Sequence, residues 1–160
     1  MTISDVLIEQ HERTNGCLNK LLDHCSTLTD QELNRELDGF GLPTVRLQLH
    51  HVLISARYWT GVLEGRIEAE NAPDAHLTVE SLQRLHETVV EAGHGYLSRA
   101  TDDELTTPRP MTTWGHEEQT LVPARIFMRM QTHLFHHQGQ VLAMCRMLGR
   151  PGKGLDYPVT

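Results

Sequence analysis

The stretch PARIFMRMQTHLFHHQGQVLAMCRML, residues 123–148, decides the fold. Proline suits a first helical turn, and Gly149 followed by Pro151 closes the segment, so one helix is predicted from about Pro123 to Leu148. Ile126, Met130, His133, His137, Val141, Met144 and Leu148 recur at steps of three and four, which places them on one face. That face is apolar except for His133 and His137, four positions apart and therefore one above the other, so that two imidazoles can reach one cation. His136 falls with Arg125, Arg129 and Thr132 and is expected to look toward solvent or a pocket rim.

Working outward, three more amphipathic helices are predicted. The first runs from about Ser4, as N-cap, to Cys25, with Leu7, His11, Thr14, Leu18, Leu21 and Cys25 facing a core. A short connector helix follows Thr29 or Asp30, before Gly39, Gly41 and Pro43 interrupt the pattern. The second long helix starts near Pro43 or Thr44 and ends around Glu64 and Gly65. Its stripes put His51 inward, beside Leu47, Ile54, Tyr58 and Val62, and His50 outward, beside Arg46, Arg57 and Glu64.

Residues 66–77 read as loop, and Thr78 caps a third helix that ends near Ala100, although Ser81 stands where a capping box wants an acid. Residues 101–122, rich in proline and threonine, read as an irregular segment or short hairpin. The fold class is therefore all-α: a four-helix bundle with at least one crossover, residues 1–160 forming a single domain.

Lys and Arg number 14 against 21 Asp and Glu, a net charge of −7, and the basic residues do not cluster. Nucleic acid is thus a poor partner. No apolar run approaches the ~18 residues needed to span a bilayer, and the first residues do not read as a secretory leader, so no membrane partner and a cytoplasmic location are expected. Cys17, Cys25 and Cys145 share no C-x-x-C spacing and lie in helical patterns, which favours buried free thiols over disulfides.

Two neutral imidazoles packed among leucine and methionine cannot both find hydrogen-bond partners, and each unsatisfied group costs on the order of 1–3 kcal/mol. A divalent cation resolves this by accepting a lone pair from each ring. His51, from another helix, supplies a third nitrogen, and three protein ligands leave a coordination position open for water or substrate. Zinc and nickel suit imidazole, and iron, copper or manganese can also be held. His11, Tyr58 and His136 are candidates for the pocket rim, and no catalytic acid or base can be named.

LHHVLISARYWTGVLEG (49–65), HLFHHQGQVLAMCRMLG (133–149) and GLDYP (154–158) together resemble the DinB-like (DinB/YfiT) superfamily of metal-dependent bundles. The resemblance implies a bundle of up-up-down-down connectivity, often a homodimer, with His51, His133 and His137 holding a divalent metal at one end. Relatives include S-transferases that use low-molecular-weight thiols. It therefore implies a metal-dependent transferase or hydrolase that activates a small thiol or water; the alternative is a non-enzymatic stress-response protein with a structural metal.

Overall fold

The computed structural model describes residues 1–67 and 72–159. Its long helices are α1 (Ile3–Cys25), α3 (Val45–Glu64), α4 (Val79–Arg99) and α6 (Pro123–Met147), with α2 (Asp30–Leu33) and α5 (Asp102–Thr106) as short pieces between them. Residues 68–71 of the predicted 66–77 loop lie outside the described residues, and Pro73–Ala75 forms a single 3-10 turn within it. Strands β1 (Arg109–Thr112) and β2 (Glu118–Leu121) pair antiparallel, Arg109 opposite Leu121, so the segment before α6 is a hairpin preceded by the unanticipated α5.

Local chemistry sets the helix ends. The cap of α1 is Thr2 and not Ser4: the Thr2 hydroxyl accepts from the Asp5 amide while the Asp5 carboxylate accepts from the Thr2 amide. Ser4 lies inside the helix and donates its hydroxyl to the Leu97 carbonyl instead. At α4 the serine closes the box that an acid usually closes, since the Ser81 hydroxyl accepts from the Thr78 amide at 3.3 Å. Gly65 ends α3 at φ 68° and Gly149 follows α6 at φ 75°, the left-handed region where a Cβ is penalised.

Packing fixes the direction of each helix. One apolar cluster gathers Leu21, Leu22 and Cys25 from the end of α1, Val45 and Leu49 from the start of α3, Val79 and Leu82 from the start of α4, and Leu142 and Cys145 from the end of α6. A second, at the opposite pole, joins Leu7, Val62, Leu63, Tyr96, Leu97, Ile126 and Phe127. The four-helix bundle is therefore as expected, but its directions run up, down, down, up and not up-up-down-down. The reason lies in the connector after α1: Leu28, Leu33 and Leu37 bury in the first cluster, so the chain turns back at that pole and α3 descends alongside. The crossover falls between α3 and α4. Antiparallel neighbours are then α1 with α4 and α3 with α6, and each pair forms a seam that buries histidines.

Candidate metal centre

The α3–α6 seam brings His51, His133 and His137 together, with one ring nitrogen from each lying within 4.8 Å of the other two. His133 Nε2 stands 3.3 Å from His51 Nε2 and 3.1 Å from His137 Nε2. Ring planes meet edge-on, at 61° to 70°, so the rings do not stack. A tetrahedral zinc with nitrogens at 2.0–2.1 Å holds its ligand atoms about 3.3 Å apart, so the donor set fits a divalent ion by distance and by type. Three lone pairs turned on one another without a cation or proton between them would repel.

Gln48, one turn before His51 on α3, sets the direction of one lone pair. It is fully buried, and its amide nitrogen donates to the Leu42 carbonyl at 2.9 Å and to Gln140 Oε1 at 2.8 Å. Its oxygen is thereby turned to His137, where it accepts from Nδ1 at 2.5 Å. With the proton on Nδ1, His137 Nε2 keeps its lone pair for a metal, the usual arrangement behind a ligating histidine. Nothing in the periodicity marked Gln48; the available signal was a glutamine at position i−3 from His51.

Burial, followed by the charges of neighbouring imidazoles and, for His133, of Arg129, pushes His133 and His137 down to about 4, and burial lowers His51 as well. All three rings are therefore neutral near pH 7, the form that binds a cation.

Burial of the two consecutive histidines is the reverse of what the stripes predicted. His50 is 2% exposed, because His76 covers it with ring centroids 5.6 Å apart, whereas His51 is exposed at the open edge of the seam. The stripe placed His51 toward α6 correctly, but no further element among the described residues covers that side. On the inner side a cavity of about 20 Å³, lined by Thr14, Ser55, Phe127, Met130 and Gln131, reaches His133 and has room for about one water molecule. A ligand of any size approaches from the side of His51.

The remaining rim candidates separate. His136 is exposed and hydrogen-bonds Gln140 at 2.8 Å, as its face predicted. Tyr58 is 3% exposed, its hydroxyl accepting from the Trp114 amide at 2.9 Å and its ring stacked on the Trp114 indole at 4.1 Å. His11 lies in the other seam, away from the centre, bonded to the Val90 carbonyl. Cys17, Cys25 and Cys145 are free and buried, as expected. No helix among the described residues is long and apolar enough to cross a membrane.

Among solved structures, a DinB-like protein from Bacillus cereus ATCC 10987 superposes with a TM-score of 0.66 at 23% identity, covering 91% of each chain. A DinB-like protein (YjoA) from Bacillus subtilis gives a TM-score of 0.56 at 16% identity, over 97% of this chain and 96% of that one. No curated protein matches in sequence. The DinB family model matches residues 7–160, and with nearly the whole length accounted for, the chain belongs to the DinB family.

Proposed function

We propose that this chain is a metal-dependent enzyme of the transferase or hydrolase type, acting on small molecules at a centre formed by His51, His133 and His137. The observation that carries the reading is the convergence of three neutral Nε2 atoms, one with its tautomer fixed by Gln48, beside an exposed edge. A divalent cation held there would supply Lewis acidity, lowering the pKa of a thiol or water that enters the open position. The protein's own part is to hold the rings neutral and oriented, to close the inner side of the site, and to leave the outer side to ligand. Zinc or nickel suits the all-imidazole set.

The alternative, a metal that merely staples the bundle, calls for a fourth protein ligand closing the coordination sphere. Among the described residues the cluster stops at three, which favours the catalytic reading. The test is to load the protein with zinc or nickel and supply low-molecular-weight thiols with a chromogenic electrophile, or water with an activated ester. Turnover that requires metal and disappears in His133→Ala is expected. Absence of turnover across those combinations would leave the staple as the better account.

A further inference from the structure

Lysine occurs at only two of the 160 positions, against 12 arginines, and both lysines line the same cavity. Lys20 and Lys153 come from opposite ends of the sequence to meet there. The cavity, of about 440 Å³, lies where the last turns of α1 and α6 meet the final stretch of chain. Lys20, Leu21 and His24 border it from α1, Leu142 from α6, and Lys153 and Leu155 from the stretch that follows α6.

That final stretch is pinned as a strap. Beyond Gly149, His24 Nε2 donates to the Arg150 carbonyl at 3.1 Å and Gln138 Nε2 to the Leu155 carbonyl. Cys17 Sγ donates to the Asp156 carbonyl at 3.6 Å, and Arg13 Nη1 to the Pro158 carbonyl at 2.9 Å. At Gly152 the strap passes so near the helices that an added Cβ would lie 2.8 Å from Leu142 Cδ2 and 3.1 Å from His24. One wall of the cavity is thus set by the fold, and the volume falls within the range of small-molecule sites, about 300–1,000 Å³.

The lining divides by chemistry. Leu21 and Leu142 are core residues that give it an apolar floor, extended by Leu155. No acidic side chain borders it, and among the described residues neither lysine pairs with a carboxylate, while Arg13, Arg66, Arg99 and Arg150 each meet a glutamate. On a chain of net charge −7 the rarer sign is therefore gathered, without its counter-ion, beside an apolar surface. A lysine carries a compact charge on a flexible four-carbon stem, so its ammonium can swing over a cavity that its residue borders. Two such charges repel, and an anion between them removes the repulsion and gains charge-assisted hydrogen bonds.

We propose that this cavity binds a small amphipathic carboxylate, its head between Lys20 and Lys153 and its apolar body on Leu21, Leu142 and Leu155. The site shares no lining residue with the three-histidine centre and does not depend on the function proposed above. Its occupant would bridge α1 to the strap.

Hexanoate and hexan-1-ol, alike in apolar body and different in charge, test this by titration into the ¹⁵N-labelled chain, with acetate as the head alone. The readout is the amide shift of Gly152 and Lys153. Hexanoate is expected to bind about ten-fold more tightly than the alcohol, in keeping with one charge-assisted contact. Acetate should bind more weakly than hexanoate, because it leaves the apolar floor uncovered. Lys20→Gln and Lys153→Gln should each weaken hexanoate binding, and together they should remove its advantage over the alcohol while leaving the alcohol's affinity unchanged.

Equal affinity for hexanoate and hexan-1-ol in the unaltered chain overturns the proposal, and that comparison needs no variant. A preference that persists in the doubly altered chain, shifts that gather around His137 and not Gly152, or no saturable shift with hexanoate overturns it as well.

Discussion

Two antiparallel seams of the same bundle bury histidines, and they use them in opposite ways. Between α1 and α4, His11 Nε2 donates to the Val90 carbonyl at 3.0 Å and His11 Nδ1 accepts from Asn15 Nδ2 at 3.2 Å, while Asn15 Oδ1 accepts from His86 Nε2 at 3.1 Å. Donors meet acceptors in sequence, and the network closes on itself within protein. Between α3 and α6, three Nε2 atoms meet one another instead, and the only complementary partner of these rings among the described residues lies behind His137, at Gln48. A buried histidine is thus not a metal ligand by virtue of burial; what distinguishes the second seam is that like atoms converge.

The largest effect that separates the seams concerns metal content. His51→Ala, His133→Ala and His137→Ala are each expected to cut the bound ion from roughly one per chain to a small fraction, by loss of one of three ligands. His11→Ala, His86→Ala, His50→Ala and His136→Ala should retain it. Elemental analysis of the purified variants checks this, and metal loss on changing His86 would erase the distinction between the seams.

Next in size is Gln48→Leu. It removes the acceptor behind His137 but leaves every ligand in place, so metal affinity should fall 10- to 100-fold, roughly the range for partners of ligating histidines. Competition with a chromophoric chelator measures it, and an unchanged affinity would reduce Gln48 to a packing residue.

On the other seam, Gly93 faces His11 so closely that an added Cβ would lie 2.6 Å from His11 Cε1. Gly93→Ala should therefore destabilise the fold by about 1–3 kcal/mol through overpacking, visible in urea unfolding, with metal stoichiometry untouched. A neutral effect would mean that the His11 ring moves aside at little expense.

The smallest effect is pH dependence of the metal-free protein. Burial, then the charge of His11, pushes His86 down to about 4 from the ordinary 6.5. Between those values the unfolded chain takes up a proton at this ring that the folded chain refuses, so stability declines as pH falls from 6.5 toward 4. Unfolding at pH 7, 5.5 and 4.5 follows the decline, which should be shallower in His86→Asn; identical slopes would show that His86 does not set it.

Much of the site was legible from spacing alone, because His133 and His137 interrupt an apolar stripe and His51 shares the apolar stripe of Leu47 and Ile54. Periodicity reports which way a side chain leaves its helix, but not what else covers it. That is why His50 and His51 exchanged their expected exposure once His76 docked on one and no described residue covered the other. Helix direction was illegible for a similar reason: it depended on Leu28, Leu33 and Leu37 folding the connector back into the core, a tertiary event without a period of its own. Gln48 was hidden because a single buried amide carries no pattern until its three partners, Leu42, Gln140 and His137, are in place.

The chain has two tryptophans, and they stand at the same end of α3: Trp59 beneath Arg129, and Trp114, more than half exposed, stacked on Tyr58. Intrinsic emission is consequently a local gauge of the α3–α6 side and is blind to the His11–Asn15–His86 network. Melting curves followed by fluorescence and by circular dichroism need not coincide, and the order in which they fall tells which half of the bundle loosens first, with no label attached.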